Sequence, residues 1–315
     1  MTHVSDASAF GKVAVLFGGD SPERPVSLDS GRSVAEALCG LGVDAELFDP
    51  AERDLSELSS RSITRCWNAL HGGAGEDGRV VGALNMMGLP FTGSGVLGSA
   101  LAMDKVRSKQ VLAHIDIRVP LTLAVNEQTP TDEIDFPVFV KPANGGSSIS
   151  ARPARDAAEW ASAYASAKAT GQTVLVEPLL DGPEYTVGIL QGKALPAIRI
   201  EADAEFYDYD AKYVSDATRF VCPALADQPD LEAHLAHVAL ASFDALGCEG
   251  WGRVDFMLNH AGEPYVLEVN TVPGMTSHSL VPCAAAATGI DFPTLCWKVL
   301  ETSFPDQPWR QSHGE

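Results

Sequence analysis

Short apolar segments alternate with a helix-like segment through the N-terminal third of the sequence, and this alternation constrains the fold more than any other feature. Buried strands are predicted at Lys12–Phe17, Val43–Phe48 and Ile63–Leu70. The spacing of apolar residues over Ser27–Gly40 predicts a helix between the first two strands. Strands that alternate with helices predict a parallel sheet with helices on both faces. Such a sheet binds ligands beyond the carboxyl ends of its strands, where Gly18-Gly19 and His71-Gly72-Gly73 follow.

A β-rich section follows a helix that the pattern predicts over Leu101–Ala113. Its strands are predicted at 136–140, Val174–Val176, Tyr185–Leu190, Ala197–Ile200, Trp251–Leu258 and Glu263–Asn270. A second helix is predicted over Leu231–Leu246. At 315 residues the chain is long enough for two or three domains, since single domains run to roughly 100–200 residues.

The last two predicted strands form a hairpin that concentrates polar side chains on one face. With a two-residue turn at Ala261-Gly262, Asp255 lies opposite Glu268, and Arg253 lies opposite Asn270. The opposite face then points into the core with the apolar residues Val254, Phe256, Leu267 and Val269. Two carboxylates and an amide are ligands that suit Mg²⁺ held jointly with substrate phosphates. An ordinary salt bridge on a solvent-facing strand explains the same residues equally well.

Phosphate binding needs local positive groups in this chain, because 42 acidic residues against 22 basic ones give a net charge of −20. Lys141 ends a predicted strand and precedes a glycine-rich loop, Ala143–Ser150, whose N–H groups can cover phosphate oxygens. The lysine precedes the glycines, so this is not a P-loop, and an ordinary turn remains the alternative. Lys105 and Lys212 are the other candidate lysines.

Three further acids stand at the ends of predicted elements. Glu177 ends one strand and Glu184 opens the next, a placement that suits the amino group of adenine and the ribose hydroxyls. A polar hairpin is the simpler explanation of this pair. Glu23 lies in the turn after the first strand, where an anion or amino-acid site at a helix N-terminus remains open.

Several classes of protein are disfavoured by the sequence. Gly18-Gly19 lacks the further glycines of G-x-G-x-x-G, which disfavours a hydride-transfer enzyme. The six cysteines are scattered without metal-ligand spacing and are expected to be free thiols. The excess of acid disfavours nucleic acid and anionic membranes as partners. No apolar run approaches the roughly 18 residues of a membrane span, and 1–10 is unlike a signal peptide, so we expect a cytoplasmic protein.

Taken in order, these segments resemble the D-alanine–D-alanine ligases of the ATP-grasp superfamily. The matching stretches are VLFGGDSPERPVSLDSG, ALHGGAGEDG, GLPFTGSGVLGSALAMDK, VFVKPANGGSS, VEPLLDGPEYTV, FYDYDAKY, GCEGWGRVDFML and LEVNTVPGMTSHSLVP. They extend from about Val15 to Pro282, and their joint order is much more specific than any one of them.

The resemblance implies a fold that is α/β and α+β: a Rossmann-like parallel-sheet N-terminal domain followed by an ATP-grasp fold. The N-terminal substrate domain would cover residues 1–98. The central ATP-grasp subdomain, with the phosphate lid loop, would cover 99–183. The C-terminal subdomain, with the metal site and a substrate loop, would cover 184–315.

The resemblance also implies the reaction, an ATP-dependent ligation of two D-alanines to D-alanyl-D-alanine for peptidoglycan precursor synthesis. It would pass through D-alanyl phosphate and release ADP and phosphate. Two Mg²⁺ or Mn²⁺ ions would be bound by Asp255, Glu268 and Asn270. ATP would be bound by Lys105, Lys141, Gly146, Ser148, Glu177, Leu180 and Glu184. Relatives are often dimers, which favours a homodimer.

The resemblance also implies which residues would bind the D-alanines and which would catalyse their ligation. The catalytic residues would be Glu23, Ser147, Tyr213, Arg253 and Gly274. The other substrate-binding residues would be His71, Lys212, Ser279 and Leu280. In this scheme Glu23 binds the first ammonium and is hydrogen-bonded to Ser147 and Tyr213. Arg253 and the Gly274 N–H would stabilise the oxyanion.

Two alternatives to the dipeptide ligase would share its scaffold. One is a D-alanine–D-lactate ligase, but Tyr213 in DAKY is typical of dipeptide-forming relatives, where lactate-using ones often carry phenylalanine. The other, a non-catalytic nucleotide-binding protein, is disfavoured because the polar face of the hairpin is retained in full. The sequence departs from the family pattern at Pro25, at Asn144-Gly145 and at Ser150, which bear on the D-alanine pocket and the lid and not on any proposed ligand.

Overall fold

The computed structural model describes residues 4–126, 128–129, 134–143, 150–201 and 218–304. The strands are β1 Lys12–Leu16, β2 Asp44–Phe48, β3 Arg65–Asn68, β4 Leu123–Val125, β5 Val138–Pro142, β6 Arg152–Ala154, β7 Val174–Pro178, β8 Glu184–Leu190, β9 Lys193–Ala194, β10 Ile198–Glu201, β11 Arg219–Val221, β12 Trp251–Leu258 and β13 Pro264–Asn270. The α-helices are α1 Arg24–Gly40, α2 Glu57–Ser60, α3 Arg79–Met86, α4 Val96–Met103, α5 Lys105–His114, α6 Ala157–Lys168, α7 Pro229–Ala245, α8 Leu280–Ala287 and α9 Phe292–Glu301. Short 3-10 helices cover Ala7–Phe10 and Gly73–Gly75.

The N-terminal strands form the predicted parallel sheet, with β1 between β2 and β3. Alternate residues of β1 enter different cores, because successive side chains of a strand point to opposite faces. Val13 and Val15 belong to one apolar cluster, with α1 and α9, whereas Ala14 and Leu16 belong to another, with α3. Helices therefore cover both faces, as predicted. The glycine-rich turns after β1 and β3 leave the sheet at its carboxyl edge.

The helix predicted over Leu101–Ala113 is wrong as a single element, since the chain breaks it at Asp104. Asp104 has extended backbone angles, and its side chain accepts hydrogen bonds from the N–H groups of Val106 and Arg107. It is thus the N-cap of α5, and capping residues favour a helix start at the next position. Lys105 consequently occupies the first turn of a new helix.

Among the described residues, the remaining strands form two antiparallel sheets. One has the order β4-β7-β5-β6 and packs against α6 through Trp160 and Ala163. The other has the order β11-β10-β8-β12-β13, with β9 beside β8, and packs against α7 through Leu235 and Phe243. The strands that carry the candidate site residues belong to both sheets.

The predicted register of the hairpin is correct where it matters for the site. Asp255 pairs with Glu268, and Arg253 pairs with Asn270. A β-bulge lies between Asp255 and Phe256, where the register shifts by one residue. The turn is longer than the predicted two residues, and one extra residue in β13 compensates for the difference. The expectation that Leu267 points into the core is therefore wrong: Leu267 is half-buried, and Val266, with 1% exposure, takes its place.

Two departures from the family pattern have a local structural meaning. Pro25 lies in the first turn of α1, where its missing N–H is not needed by the helix. Ser150 has a φ of +61°, in the left-handed region that glycine adopts without strain. A glycine at that position would fit this backbone better than serine.

Within the described residues, no single helix is both long and apolar enough to cross a bilayer. The pair α8 and α9 meets the requirements of length and composition together, but a bend of 105° separates the two helices. The division of the chain at residues 98 and 183 stays a prediction. The first of these boundaries falls inside α4, and the second falls directly before β8.

Candidate active site

The polar face of the β12–β13 hairpin is the centre of the candidate site. Asp255 and Glu268 are directly opposite each other on neighbouring strands, so their side chains lie on the same face. The Arg253 guanidinium donates two hydrogen bonds to the Asp255 carboxylate, at 2.7 and 2.8 Å. Thr186 of β8 donates a third from its hydroxyl, at 2.6 Å. Asp255, which is only 6% exposed, is therefore held in one orientation from two sides.

Lys105 of α5 brings a positive charge to the second carboxylate of this face. Its Nζ lies 3.2 Å from Oε2 of Glu268. Burial by itself would lower the pKa of Lys105, but Glu268, Glu177 and Glu76 together raise it above its ordinary value. Lys105 is therefore a buried, charged lysine between two groups of acids, as a phosphate-binding residue would need to be.

The residues of this face fit a divalent metal in the chemistry of their donor atoms. Asp255, Glu268 and Asn270 offer carboxylate and amide oxygens, the ligand type that Mg²⁺ prefers. The Asn270 side-chain oxygen accepts one hydrogen bond, from the Val272 N–H at 2.9 Å, and a carbonyl oxygen has a second lone pair. Among the described residues, no group of three or more His, Cys, Asp or Glu side chains could hold a metal ion. A metal here would thus depend on Asn270 and on ligand phosphates.

A second charged cluster surrounds Glu177 at the end of β7. Lys141 of β5 donates to Oε2 of Glu177 at 2.7 Å, and Thr122 donates to Oε1, also at 2.7 Å. Lys109, one turn beyond Lys105 on α5, donates to Oε1 as well. Burial alone would raise the pKa of Glu177, but Lys141 and Lys109 hold it below its usual range. Burial, with Lys141 as the next cause, lowers the pKa of Lys109 to about 7.

A pocket opens between the hairpin, α4–α5 and the turns of the N-terminal sheet. It is lined by Glu23, His71, Glu76, Ala102, Met103, Lys105, Arg253, Glu268, Val269, Asn270, Thr271, Val272 and Gly274. Glu23, 6% exposed, lies at the start of α1, where its side chain makes no capping hydrogen bond. Burial, reinforced by Glu23, raises the pKa of Glu76 to about 8. An ammonium group placed here would favour the ionised form of Glu76 and so lower its pKa again.

His71 lines the same pocket, but both of its ring nitrogens have partners within the protein. Nδ1 lies 2.9 Å from the Val272 carbonyl oxygen, to which only a protonated Nδ1 can donate. Nε2 lies 3.0 Å from the Ser30 hydroxyl. Burial is the main cause that lowers the pKa of His71 to about 4. His71 is therefore a neutral imidazole that ties the N-terminal sheet to the segment after β13, and its direct contact with substrate stays a prediction.

This buried histidine predicts a loss of stability in acid. The pKa of His71 falls from its ordinary value of 6.5, which applies to the unfolded chain, to about 4 in the fold. The unfolded chain therefore gains a proton first as the pH falls below 6.5, and stability present above that pH is lost towards pH 4. We expect the free energy of unfolding to fall over this range by about 3 kcal/mol more in the native protein than in His71→Asn.

Urea unfolding of both proteins at matched pH values measures this difference. The comparison cancels the opposite contribution of Glu76, whose raised pKa makes the fold gain stability as the pH falls from 8. Asparagine keeps a donor for the Val272 carbonyl and has no titrating ring. Parallel decreases in the two proteins would contradict the assignment of a neutral, buried His71.

The segment after β13 places two predicted substrate-binding residues, Ser279 and Leu280, close to Gly274, which was predicted to be catalytic. Ser279 is 9% exposed and precedes α8, and Leu280 is the first residue of that helix. A side chain at Gly274 would come within 2.8 Å of the Ser279 hydroxyl, so the backbone passes this residue closely. The hydroxyl also accepts from the Thr276 N–H at 2.9 Å. A substrate carboxylate beside α8 and an oxyanion beside Gly274 would thus be neighbours.

Some predicted site residues lie outside the described part of the chain: Gly146, Ser147, Ser148, Lys212 and Tyr213. Leu180 and Glu184, predicted to contact the nucleotide, are both half-buried, and Glu184 opens β8. The structure thus brings most of the described site residues into two adjoining groups. One is the pocket around the hairpin, and the other is the cluster around Glu177.

Two residues of these groups were missed in the sequence. Lys109 is only 5% exposed in the structure. From the sequence alone, a lysine one helical turn from another lysine is expected to be an ordinary solvated charge. The repeat of lysine at i and i+4 in MDKVRSK was the available signal, since both would lie on one face of the helix. Glu76 lies in the stretch ALHGGAGEDG, whose only predicted site residue was His71.

Known proteins resemble this chain over most of its length. A family model described as "D-ala D-ala ligase C-terminus" matches residues 121–301. The D-alanine–D-alanine ligase of Laribacter hongkongensis is 50% identical over 300 residues, covering 94% of this chain and 97% of that protein. The one of Nitrosospira multiformis is 48% identical and covers 92% and 96%. The crystal structure of the D-alanine–D-alanine ligase from Bacillus anthracis complexed with ATP has a TM-score of 0.81 and 32% identity, covering 96% of this chain and 99% of that one.

Proposed function

We propose a function from one premise: this chain belongs to the D-alanine–D-alanine ligase family. It has the ATP-grasp fold, preceded by a Rossmann-like parallel-sheet domain. It is an ADP-forming ligase that joins two D-alanines to D-alanyl-D-alanine with ATP and Mg²⁺. The product enters peptidoglycan precursor synthesis, and hence the building of the cell wall.

One observation supports this activity most directly at the level of residues: the paired carboxylates of Asp255 and Glu268, with Lys105 3.2 Å from the latter. Phosphoryl transfer depends on positioning and charge neutralisation more than on covalent help from protein groups. Asp255, Glu268 and Asn270 would hold two Mg²⁺ or Mn²⁺ ions, which when bound neutralise phosphate oxygens. Lys105 would contribute a fixed positive charge at the same place.

The nucleotide would lie between the two antiparallel sheets. Lys105 and Lys141 would contact its phosphates, with Gly146 and Ser148 of the lid loop. Its base and ribose would be bound by Glu177, Leu180 and Glu184. Support comes from the pairing of Lys141 with Glu177 at 2.7 Å, which joins a phosphate-binding candidate to a base-binding one.

The first D-alanine would place its ammonium group beside Glu23 in the acidic pocket, with Ser147 and Tyr213 as partners of that glutamate. Its carboxylate is a poor electrophile until ATP phosphorylates it to an acyl phosphate. Holding both substrates in line can supply about 7–11 kcal/mol towards the barrier. His71, neutral and held by two hydrogen bonds, would shape this end of the pocket.

The second D-alanine would present its amine to the acyl phosphate, with its carboxylate beside Ser279, Leu280 and Lys212. Attack gives a tetrahedral intermediate, whose oxyanion would be stabilised by Arg253 and the Gly274 N–H. Phosphate then leaves, and the peptide bond is complete. Loss of one donor to an oxyanion typically costs about 2.7–4 kcal/mol.

We propose further that the active form is a cytoplasmic homodimer, the assembly and compartment that the family resemblance favours. Light scattering on the purified protein gives the mass directly. A mass of twice the 33.3 kDa chain supports the dimer, and a mass of one chain contradicts it.

Product identification tests the proposed activity. Incubation with ATP, Mg²⁺ and a mixture of D-amino acids should yield D-alanyl-D-alanine, ADP and phosphate in equal amounts, as measured by mass spectrometry and phosphate assay. A parallel incubation with D-alanine and D-lactate separates the alternative ligase, since a depsipeptide as the main product would contradict the dipeptide assignment. Nucleotide binding without any release of ADP would identify a non-catalytic relative instead.

A further inference from the structure

Lys109 is buried in the protein without a place in the proposed chemistry. It lies on α5, is 5% exposed, and donates to Oε1 of Glu177, which is itself 4% exposed. A lysine ammonium is almost never fully buried unless it is paired, because removal of its hydration is costly. An apolar side chain would be easier to bury at this position, so packing alone does not explain why a lysine occupies it.

The hydrogen bonds to Glu177 are divided unequally between its two oxygens. Oε1 accepts from Lys109 and from the Thr122 hydroxyl. Oε2 accepts from Lys141 at 2.7 Å. An ionised carboxylate has about two acceptor positions on each oxygen. Lys109 and Thr122 fill those of Oε1, so the remaining acceptor position belongs to Oε2, on the side of Lys141.

We propose that Lys109 is a positioning residue for base selection: by filling Oε1 it keeps Glu177 ionised and turns Oε2 towards the nucleotide base. This inference rests on the proposed function, in which Glu177 binds the amino group of adenine. An ionised carboxylate only accepts hydrogen bonds. It therefore suits the amino group of adenine and repels the carbonyl oxygen that guanine carries at the same place.

Without Lys109, the carboxylate would lose a donor, and at pH values below about 7 a cation as well, while remaining buried. A buried carboxyl with less compensation takes up a proton more readily. A protonated carboxyl can donate a hydrogen bond to the guanine carbonyl oxygen, and it can still accept one from the adenine amino group. Lys141 and Thr122 remain as donors, but Thr122 is neutral, so a single lysine then opposes the burial of the carboxylate.

Equilibrium binding of ADP and GDP by calorimetry, in the full-length protein, tests the proposal for Lys109→Met. We expect ADP binding to weaken about tenfold or more, the scale of a lost hydrogen bond to a charged group, and the preference for ADP over GDP to fall by a similar factor. Lys109→Arg keeps the charge and donors and should restore most of the preference. Lys193→Met, which removes an exposed lysine of β9, is the matched control and should change neither value.

A purely structural role predicts a different pattern. It would lower the melting temperature or kcat of Lys109→Met and leave the ratio of ADP to GDP affinity unchanged, which would overturn the proposal. The KM for D-alanine should stay within about twofold of the native value, since no donor of the amino-acid pocket is lost. If Lys109→Met does not fold, Thr122→Val removes the other donor to Oε1 and should shift the ratio in the same direction.

Failure of the proposed function and failure of this inference give different results. Native protein that prefers ADP over GDP but makes no dipeptide would contradict the proposed function. The comparison of ADP and GDP affinity in Lys109→Met would still test the role of Lys109. Native protein that makes dipeptide but shows no preference for ADP over GDP would overturn the inference and leave the function standing.

Discussion

Glu268→Gln should release ADP about 100- to 1000-fold more slowly than the native protein at saturating ATP, D-alanine and Mg²⁺. Each factor of ten in this rate corresponds to about 1.4 kcal/mol of lost transition-state stabilisation. Glutamine has the same shape and can still accept a hydrogen bond from Lys105, which lies 3.2 Å from the native carboxylate. What it removes is the negative charge that would bind metal. The pairing of β12 with β13 is made by the backbone, so the melting temperature should change little.

The same hairpin supplies a matched control for this variant. Glu263 lies at the turn, has a side chain that is 41% exposed, and pairs with Arg118 at 2.9 Å, outside the pocket lining. Glu263→Gln removes the same charge from the same hairpin and should turn over at close to the native rate. Native rates of ADP release in Glu268→Gln, at saturating Mg²⁺, would contradict a metal-binding role for this face.

The second large effect should separate the two halves of the reaction. In Arg253→Met the acyl phosphate should still form, whereas the dipeptide should appear about 100- to 1000-fold more slowly, in line with the loss of one oxyanion donor. Asp255 loses its guanidinium partner in this variant but keeps the hydrogen bond from Thr186, at 2.6 Å. That remaining bond should preserve the orientation of the metal-binding carboxylate.

Hydroxylamine trapping measures the first half-reaction of Arg253→Met, because it converts an acyl phosphate into a hydroxamate. We expect hydroxamate at a rate near that of the native protein, together with little dipeptide. Arg199→Met is the control, since Arg199 is half-exposed on β10 of the same sheet and pairs with Glu201 at 3.5 Å. Equal losses of hydroxamate and dipeptide in Arg253→Met would contradict the proposal that Arg253 stabilises the oxyanion.

Features that depend on the alternation of side chains were predictable from the sequence. The parallel sheet followed from apolar runs such as Lys12–Phe17 separated by a helical pattern. The pairing of Asp255 with Glu268 followed from the period of two along each strand. In both places the alternation of apolar and polar residues along a short segment shows which face of the element is buried and which is polar.

The bulge in β13 was not predictable in this way. A longer turn and one extra residue cancel each other, so the register is correct at Asp255 but shifted by one from Phe256 onwards. The sequence pattern is satisfied by either Val266 or Leu267 in the core, since both are apolar. Packing against the helices, rather than local pattern, selects Val266.

The charged clusters were the least predictable part of the site. Lys105, Lys109 and Glu177 come together from α5 and β7, far apart in the chain, and nothing local marks a lysine as buried. The break before α5 had a local signal in Asp104, a favourable N-cap residue, but apolar periodicity runs through it. Family resemblance supplied the roles of Lys105 and Glu177, whereas Lys109 required the fold.

The proposed function depends above all on one face of a β-hairpin that holds metal ions together with a nucleotide. Titration of Mn²⁺ in the presence of ADP, followed by electron paramagnetic resonance, counts the bound ions without requiring turnover. We expect two Mn²⁺ per native chain, the number typical of two-metal phosphoryl-transfer sites, and fewer in Glu268→Gln. Equal numbers of tightly bound Mn²⁺ in the two proteins, or none in the native protein, would contradict a metal site on this face.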